Sequence, residues 1–167
     1  MYKVVGRIYI LQCLFQGVRL QRIGFDHWEA WAALLALVPL LLLNYGYHTW
    51  LTDLMGTSGE SFFTKLREEG VSEAALLFSI CVFPAVTEEI AFRGLVQHWL
   101  HVAVPPWTAI ALAAALFSAM HFSVLSAPYL FLVGLLLGWA RWRTGSLYPS
   151  MVIHFLHNFV VLEYFEL

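Results

Sequence analysis

Apolar residues run along this chain in blocks long enough to cross a bilayer as helices, and most of the charge falls in the breaks between them. From Ala30 to Thr52 there are 23 residues without Asp, Glu, Lys or Arg, against the ~20 that a helix needs to span ~30 Å of hydrocarbon. Residues 53 to 73 then hold Gly56, Gly59 and Gly70 with five acidic and two basic side chains, a composition suited to water or headgroups. The chain is apolar again from Ala74 to Leu100. Pro84 inside that block predicts a kink, because proline has no N–H to offer the carbonyl of Ile80. Pro105-Pro106 ends the block, Trp107 to Phe122 predicts the next helix, and Pro128 opens another that runs to Trp142 and is closed by Arg141, Arg143 and Gly145. Leu147 to Leu162 predicts the last.

The N-terminal stretch Met1 to Leu20 is broken by Lys3, Arg7, Gln12, Gln16 and Arg19, which do not gather on one helical face. No small-residue cleavage site follows it, so it is expected to stay attached. An interfacial helix is favoured over a sixth span, which would bury Arg7. The expected architecture is an all-α, polytopic integral membrane helix bundle of five spans plus that N-terminal interfacial or sixth helix. It forms one membrane domain over residues 1–167, with 1–27 as the N-terminal segment.

Composition fixes the solvent. Hydrophobic residues make up 60% of the 167 and charged residues only 12%, where a soluble domain carries roughly 25%. The bilayer is therefore an expected partner, and the location is a multi-pass protein of the cell membrane, a bacterial inner membrane in the first instance. The formal charge of −2 leaves no basic surface for nucleic acid. Cys13 and Cys81 lie far apart, without the spacing of a zinc or redox pair. Lys3, Arg7, Arg19 and Arg22 before the first span, and Arg141 and Arg143 before the last, should face the cytoplasm, which puts the acidic 53 to 73 loop outside.

Against that background the segment Thr87-Glu88-Glu89-Ile90-Ala91-Phe92-Arg93-Gly94 stands out, because ionisable groups at hydrocarbon depth cost about 2.5 to 3.5 kcal/mol each on insertion scales. Glu89 and Arg93 are i and i+4, so they share a helix face and can pair. Glu88 is turned about 100° away by the helical period and is free to face a cavity. A structural ion pair with a stray acid explains these three residues equally well when they are taken alone. Other helices add to them: His121 lies four residues after Phe117, and His154 and Asn158 form a further i, i+4 pair. His48, His98 and His101 are read as structural, and His157 lies off the 154/158 face. Glu and His from several helices could bind a metal, but there is no HExxH, and an adjacent Arg opposes a cation.

Glu88-Glu89 with Arg93, Phe117 with His121, and His154 with Asn158, in this order, resemble the CPBP family of CAAX-protease and bacteriocin-processing membrane proteins, also called Abi. Phe92-Arg93-Gly94-Leu95, Pro128 ahead of Gly134-Leu135 and Gly138, and Thr144-Gly145-Ser146-Leu147 are similar too. The resemblance covers Ala74 to Val160, within the expected catalytic helices 74–162, and the chain is short at its N-terminus beside the larger members. It implies a glutamic-type intramembrane endopeptidase without cofactor or metal. In that reading Glu88 is the general base, His121 helps to hold and deprotonate water, and His154 and Asn158 supply the oxyanion site. Glu89, Arg93 and Phe117 support them. The implied substrate is a membrane-anchored protein or peptide, with removal of a C-terminal anchor, sorting signal or leader favoured over processing of prenylated C-termini. A non-enzymatic immunity or transport protein is the rival from another class.

Overall fold

Helix boundaries follow the local chemistry that the sequence supplies. Gly56 takes the left-handed conformation (φ 62°) just past the first helix and returns its N–H to Asp53 and Thr52, and Gly145 (φ 65°) does the same for Arg141 at the end of a later one. A side chain in that conformation is strained, which is why glycine stops these helices. In a computed structural model describing residues 23–56 and 62–164, the chain is all-α. The elements are α1 (Trp28–Met55), α2 (Phe62–Glu68), α3 (Glu73–Ala103), α4 (Pro106–Ala119), α5 (Ala127–Thr144) and α6 (Tyr148–Tyr164). The N-terminal stretch up to residue 22 lies outside the described residues, and with it the expectation of an interfacial helix there.

The expectation of five spans, with or without a sixth, is corrected. Among the described residues only α1 and α3 are long and apolar enough to cross a bilayer. Counting charge-free runs overstates helix length, because it takes in the turns as well. The run from Trp107 to Phe122 is helical only from Pro106 to Ala119, 14 residues, or ~21 Å of rise. α6 has 17 residues, ~25 Å, and α5 carries Arg141 and Arg143 in its last turn. The polar 53 to 73 segment is likewise more than a loop, since α2 forms within it.

The protein is membrane-associated. Trp31, Leu35, Val38 and Leu42 form an exposed stripe down α1 at helical spacing, and only 22% of its most apolar window is buried. Such a continuous apolar surface matches acyl chains rather than water. The opposite face of α1 sends Ala33 and Leu37 into a core shared with Val133, Leu137 and Ala140 of α5 and Ile153 of α6.

α4 and α5 pack antiparallel through Gly134 and Gly138. A Cβ on Gly134 would lie 2.9 Å from the Ala114 Cβ and 3.0 Å from its Cα, and one on Gly138 would lie 2.9 Å from Ile110. The small-xxx-small spacing thus lets two backbones approach as larger residues would not. Two ends of the bundle result. At one, Glu29 at the start of α1 pairs with Arg143 at the end of α5 at 2.6 Å. At the other, the Tyr47 hydroxyl donates to the Leu125 carbonyl at 2.7 Å, and Arg67 pairs with Glu73 and Glu163. These are called the Arg143 end and the Asp53 end.

Candidate active site

α3 bears the paired carboxylates, and its backbone is unusual where they sit. Two stretches, Leu77–Val82 and Glu89–Val96, are π-helical, flanking the α-helical turn that contains Pro84 and Glu88. π-turns are rare and cluster at functional sites. The Ile80 carbonyl, which Pro84 cannot serve, accepts a hydrogen bond from Asn158 Nδ2 of α6 at 2.9 Å. The polar backbone freed by proline is therefore satisfied by a side chain from another helix.

Glu89 is wholly buried and Arg93 is 2% exposed. Arg93 Nη1 donates to Glu89 Oε1 at 2.9 Å, and its Nη2 donates to the Gly134 carbonyl at 3.2 Å. The guanidinium lies over the Phe117 ring, 4.5 Å from its centre. His154 Nδ1 stands 2.9 Å from the same Glu89 oxygen. A carboxylate only accepts, so Nδ1 carries the proton, and a neutral ring turns a bare Nε2 the other way. That nitrogen is 3.8 Å from Glu88 Oε2, which has no hydrogen-bond partner.

Phe117 is the floor of the site, with edge contacts to His121 at 4.7 Å and to His154 at 5.8 Å. His121 Nδ1 donates to the Phe117 carbonyl at 2.8 Å, which leaves its Nε2 as the acceptor in the neutral ring. Asn158 is fixed at both ends. Its Oδ1 accepts from His157 Nδ1 at 2.8 Å, and His157 Nε2 accepts from the Tyr129 hydroxyl at 2.7 Å. One Nδ2 hydrogen of Asn158 is committed to Ile80, and the amide has a second.

A cavity of about 390 Å³ gathers these groups toward the Asp53 end, and Glu88, His121, His154 and Asn158 all line it. Glu89, Arg93 and Phe117 lie behind that wall. Of the residues singled out in the sequence, four reach the cavity and three support them. Asn44, His48 and Tyr129 line it as well, and these the sequence reasoning missed or set aside. Asn44 is 2% exposed and its Oδ1 has no partner. The signal was present: it is a lone amide within an otherwise apolar span. His157, left undecided, is the orienting partner of Asn158. Among the described residues no three His, Cys, Asp or Glu side chains are arranged to hold a metal ion. The arrangement offers a carboxylate with one oxygen free of hydrogen bonds, two imidazoles and an oriented amide around a space large enough for a peptide segment, a combination suited to moving a proton beside a polar bond.

A family model described as type II CAAX prenyl endopeptidase Rce1-like matches residues 70–160, more than half of the chain. It agrees with the resemblance that the three motifs carry. No curated protein and no solved structure matches.

Proposed function

The chain belongs to the type II CAAX prenyl endopeptidase Rce1-like family, and from that premise we propose that it is a membrane endopeptidase in which Glu88 activates the attacking water. The observation that carries this reading is the Glu88 carboxylate, whose Oε2 has no partner and faces His154 Nε2 across 3.8 Å at the wall of the 390 Å³ cavity. Glu88 takes a proton from water, with His121 Nε2 helping to hold that water. The oxygen adds to the scissile carbonyl carbon. The second Nδ2 hydrogen of Asn158 faces the developing oxyanion, and His154 joins it where its ring has already taken a second proton from solvent at Nε2, a proton it keeps throughout. The C–N bond then breaks as Glu88 returns the proton to the departing amine. Glu89, held by Arg93, orients His154 and keeps its Nδ1 engaged.

The position of the cavity supports a substrate class. It lies toward the Asp53 end, whereas Arg141 and Arg143 belong to the opposite end, where α1 begins, and Lys3, Arg7, Arg19 and Arg22 precede α1 in the sequence. Basic residues favour the cytoplasmic side, so the cavity serves the other face of the cell membrane. That favours a C-terminal anchor or sorting segment of an exported protein over a prenylated terminus. A helical substrate hides its peptide bonds, so the segment enters extended.

The test is cleavage of anchor-tailed and prenylated peptides by the purified full chain in nanodiscs, with Glu88→Gln, His154→Ala and a chelator alongside. Chelator-insensitive product from wild type alone, and from the anchor-tailed peptides, is the expected result. Cleavage by Glu88→Gln at the wild-type rate overturns the mechanism, and efficient cleavage of the prenylated peptides alone reverses the substrate class.

A further inference from the structure

A second cavity, of about 160 Å³, lies near the Arg143 end, on the far side of Arg93 from the catalytic groups. Gln97, His98 and His101 of α3 and Arg141 and Trp142 of α5 line it together with Arg93, and no carboxylate does among the described residues. Gln97 is 1% exposed, and its Nε2 donates to the Gly138 carbonyl at 2.9 Å while its Oε1 has no partner. His101 Nε2 is buried without a partner as well. Beside Arg93, the groups gathered here are therefore the Arg141 guanidinium, the His101 imidazole, whose Nε2 donates once the ring is protonated, and an amide oxygen able to accept. The catalytic reading uses none of them.

The surroundings set the depth of this cavity in the membrane. Of seven tryptophans, five belong to this end: Trp28 and Trp31 at the start of α1, Trp99 near the end of α3, Trp107 at the start of α4 and Trp142 near the end of α5. Trp28, Trp31, Trp99 and Trp107 are exposed, and Trp107 meets Trp142 edge-on at 5.5 Å. Exposed tryptophans gather where acyl chains give way to headgroups. A basic cavity between helices at that level matches the phosphate of a phospholipid.

We propose that this cavity binds a phosphate group carried on an alcohol, that of an anionic phospholipid headgroup in the first place. Arg141, and His101 in its protonated form, donate to the phosphate oxygens, and Gln97 Oε1 accepts from a headgroup hydroxyl. The volume suffices for the phosphate and a short polar substituent, and the acyl chains would lie outside along α3 and α5.

The test reads binding, so it stands whether or not the chain cleaves anything. The full chain in neutral detergent is titrated with dioctanoyl-phosphatidylglycerol, dioctanoyl-phosphatidylcholine and inorganic phosphate, and bound species are counted by native mass spectrometry. Phosphatidylglycerol is expected to bind saturably, one per chain, and more tightly than phosphatidylcholine. Arg141→Gln and His101→Ala should each weaken it by about tenfold, whereas Arg143→Gln, at the same end but outside the cavity, should change it by less than about twofold. Inorganic phosphate that displaces the lipid identifies the phosphate as the part recognised. Inorganic phosphate binding alone keeps the site but assigns it to a soluble phosphate compound. Should Arg141→Gln fail to fold, His101→Ala carries the comparison. No saturable binding of either probe overturns the proposal, as does equal affinity in wild type and both cavity variants, or an equal loss in Arg143→Gln.

Discussion

Glu88 and Glu89 are neighbours in sequence with opposite circumstances, and their variants should separate accordingly. Glu89 is wholly buried and shared between Arg93 and His154, so Glu89→Gln leaves a guanidinium uncompensated in the interior. We expect a loss of about 3–5 kcal/mol of stability, read as a lowered melting temperature in detergent. Glu88→Gln removes a carboxylate oxygen that no partner holds, so it should melt like wild type while cleavage falls by about 10²–10⁴. Asn158→Ala strips the Ile80 carbonyl of its donor and should cost about 1–3 kcal/mol, so its activity has to be read beside its melting curve. The adjacent carboxylates, the i, i+4 pairs and the separate orientation of Glu88 were legible in sequence because they depend only on helical geometry. Asn44 was visible as a lone amide in an apolar span, but neither it nor Tyr129 gives a sign in sequence of which cavity it meets.

Apart from α2, which the polar 53 to 73 segment hid, the elements were legible in type and, to within a few residues, in extent, because proline and glycine punctuate this chain where its helices begin and end. Their reach across a membrane was not. A charge-free run measures the absence of charge, whereas spanning depends on hydrogen-bonded rise, and α4 stops at Ala119 although the apolar residues continue to Phe122. The π-helical stretches of α3 also left no trace in the sequence, since an apolar segment carries little record of its turn width. α4 and α5 meet through Gly134, where a side chain would collide with the Ala114 backbone. Gly134→Val should therefore destabilise the protein by about 1–3 kcal/mol through overpacking and shift the carbonyl that holds Arg93. Thermal melts and cleavage measured on one preparation check both effects.

At the scale of the molecule, antiparallel packing decides which polar groups share a space, and no single helix reveals it. Motifs from three helices pointed to one site, but the basic cavity near the Arg143 end arises only because Gln97 and His101 are carried past α5 on the helix that also holds the carboxylates. Sidedness belongs to this scale too. In a chain with Cys13 and Cys81 changed to serine, Asp53→Cys should react with a membrane-impermeant thiol reagent from the non-cytoplasmic side, and labelling only from the cytoplasmic side would reverse the orientation. The two cavities are joined by three side chains in line, Arg93 on Glu89 on His154. Two occupants that touch one such line are subject to reciprocity: whatever factor a phosphate compound imposes on peptide affinity, a bound peptide must impose on the phosphate compound. A membrane poor in that lipid and a cell poor in substrate would then weaken opposite ends of the same equilibrium.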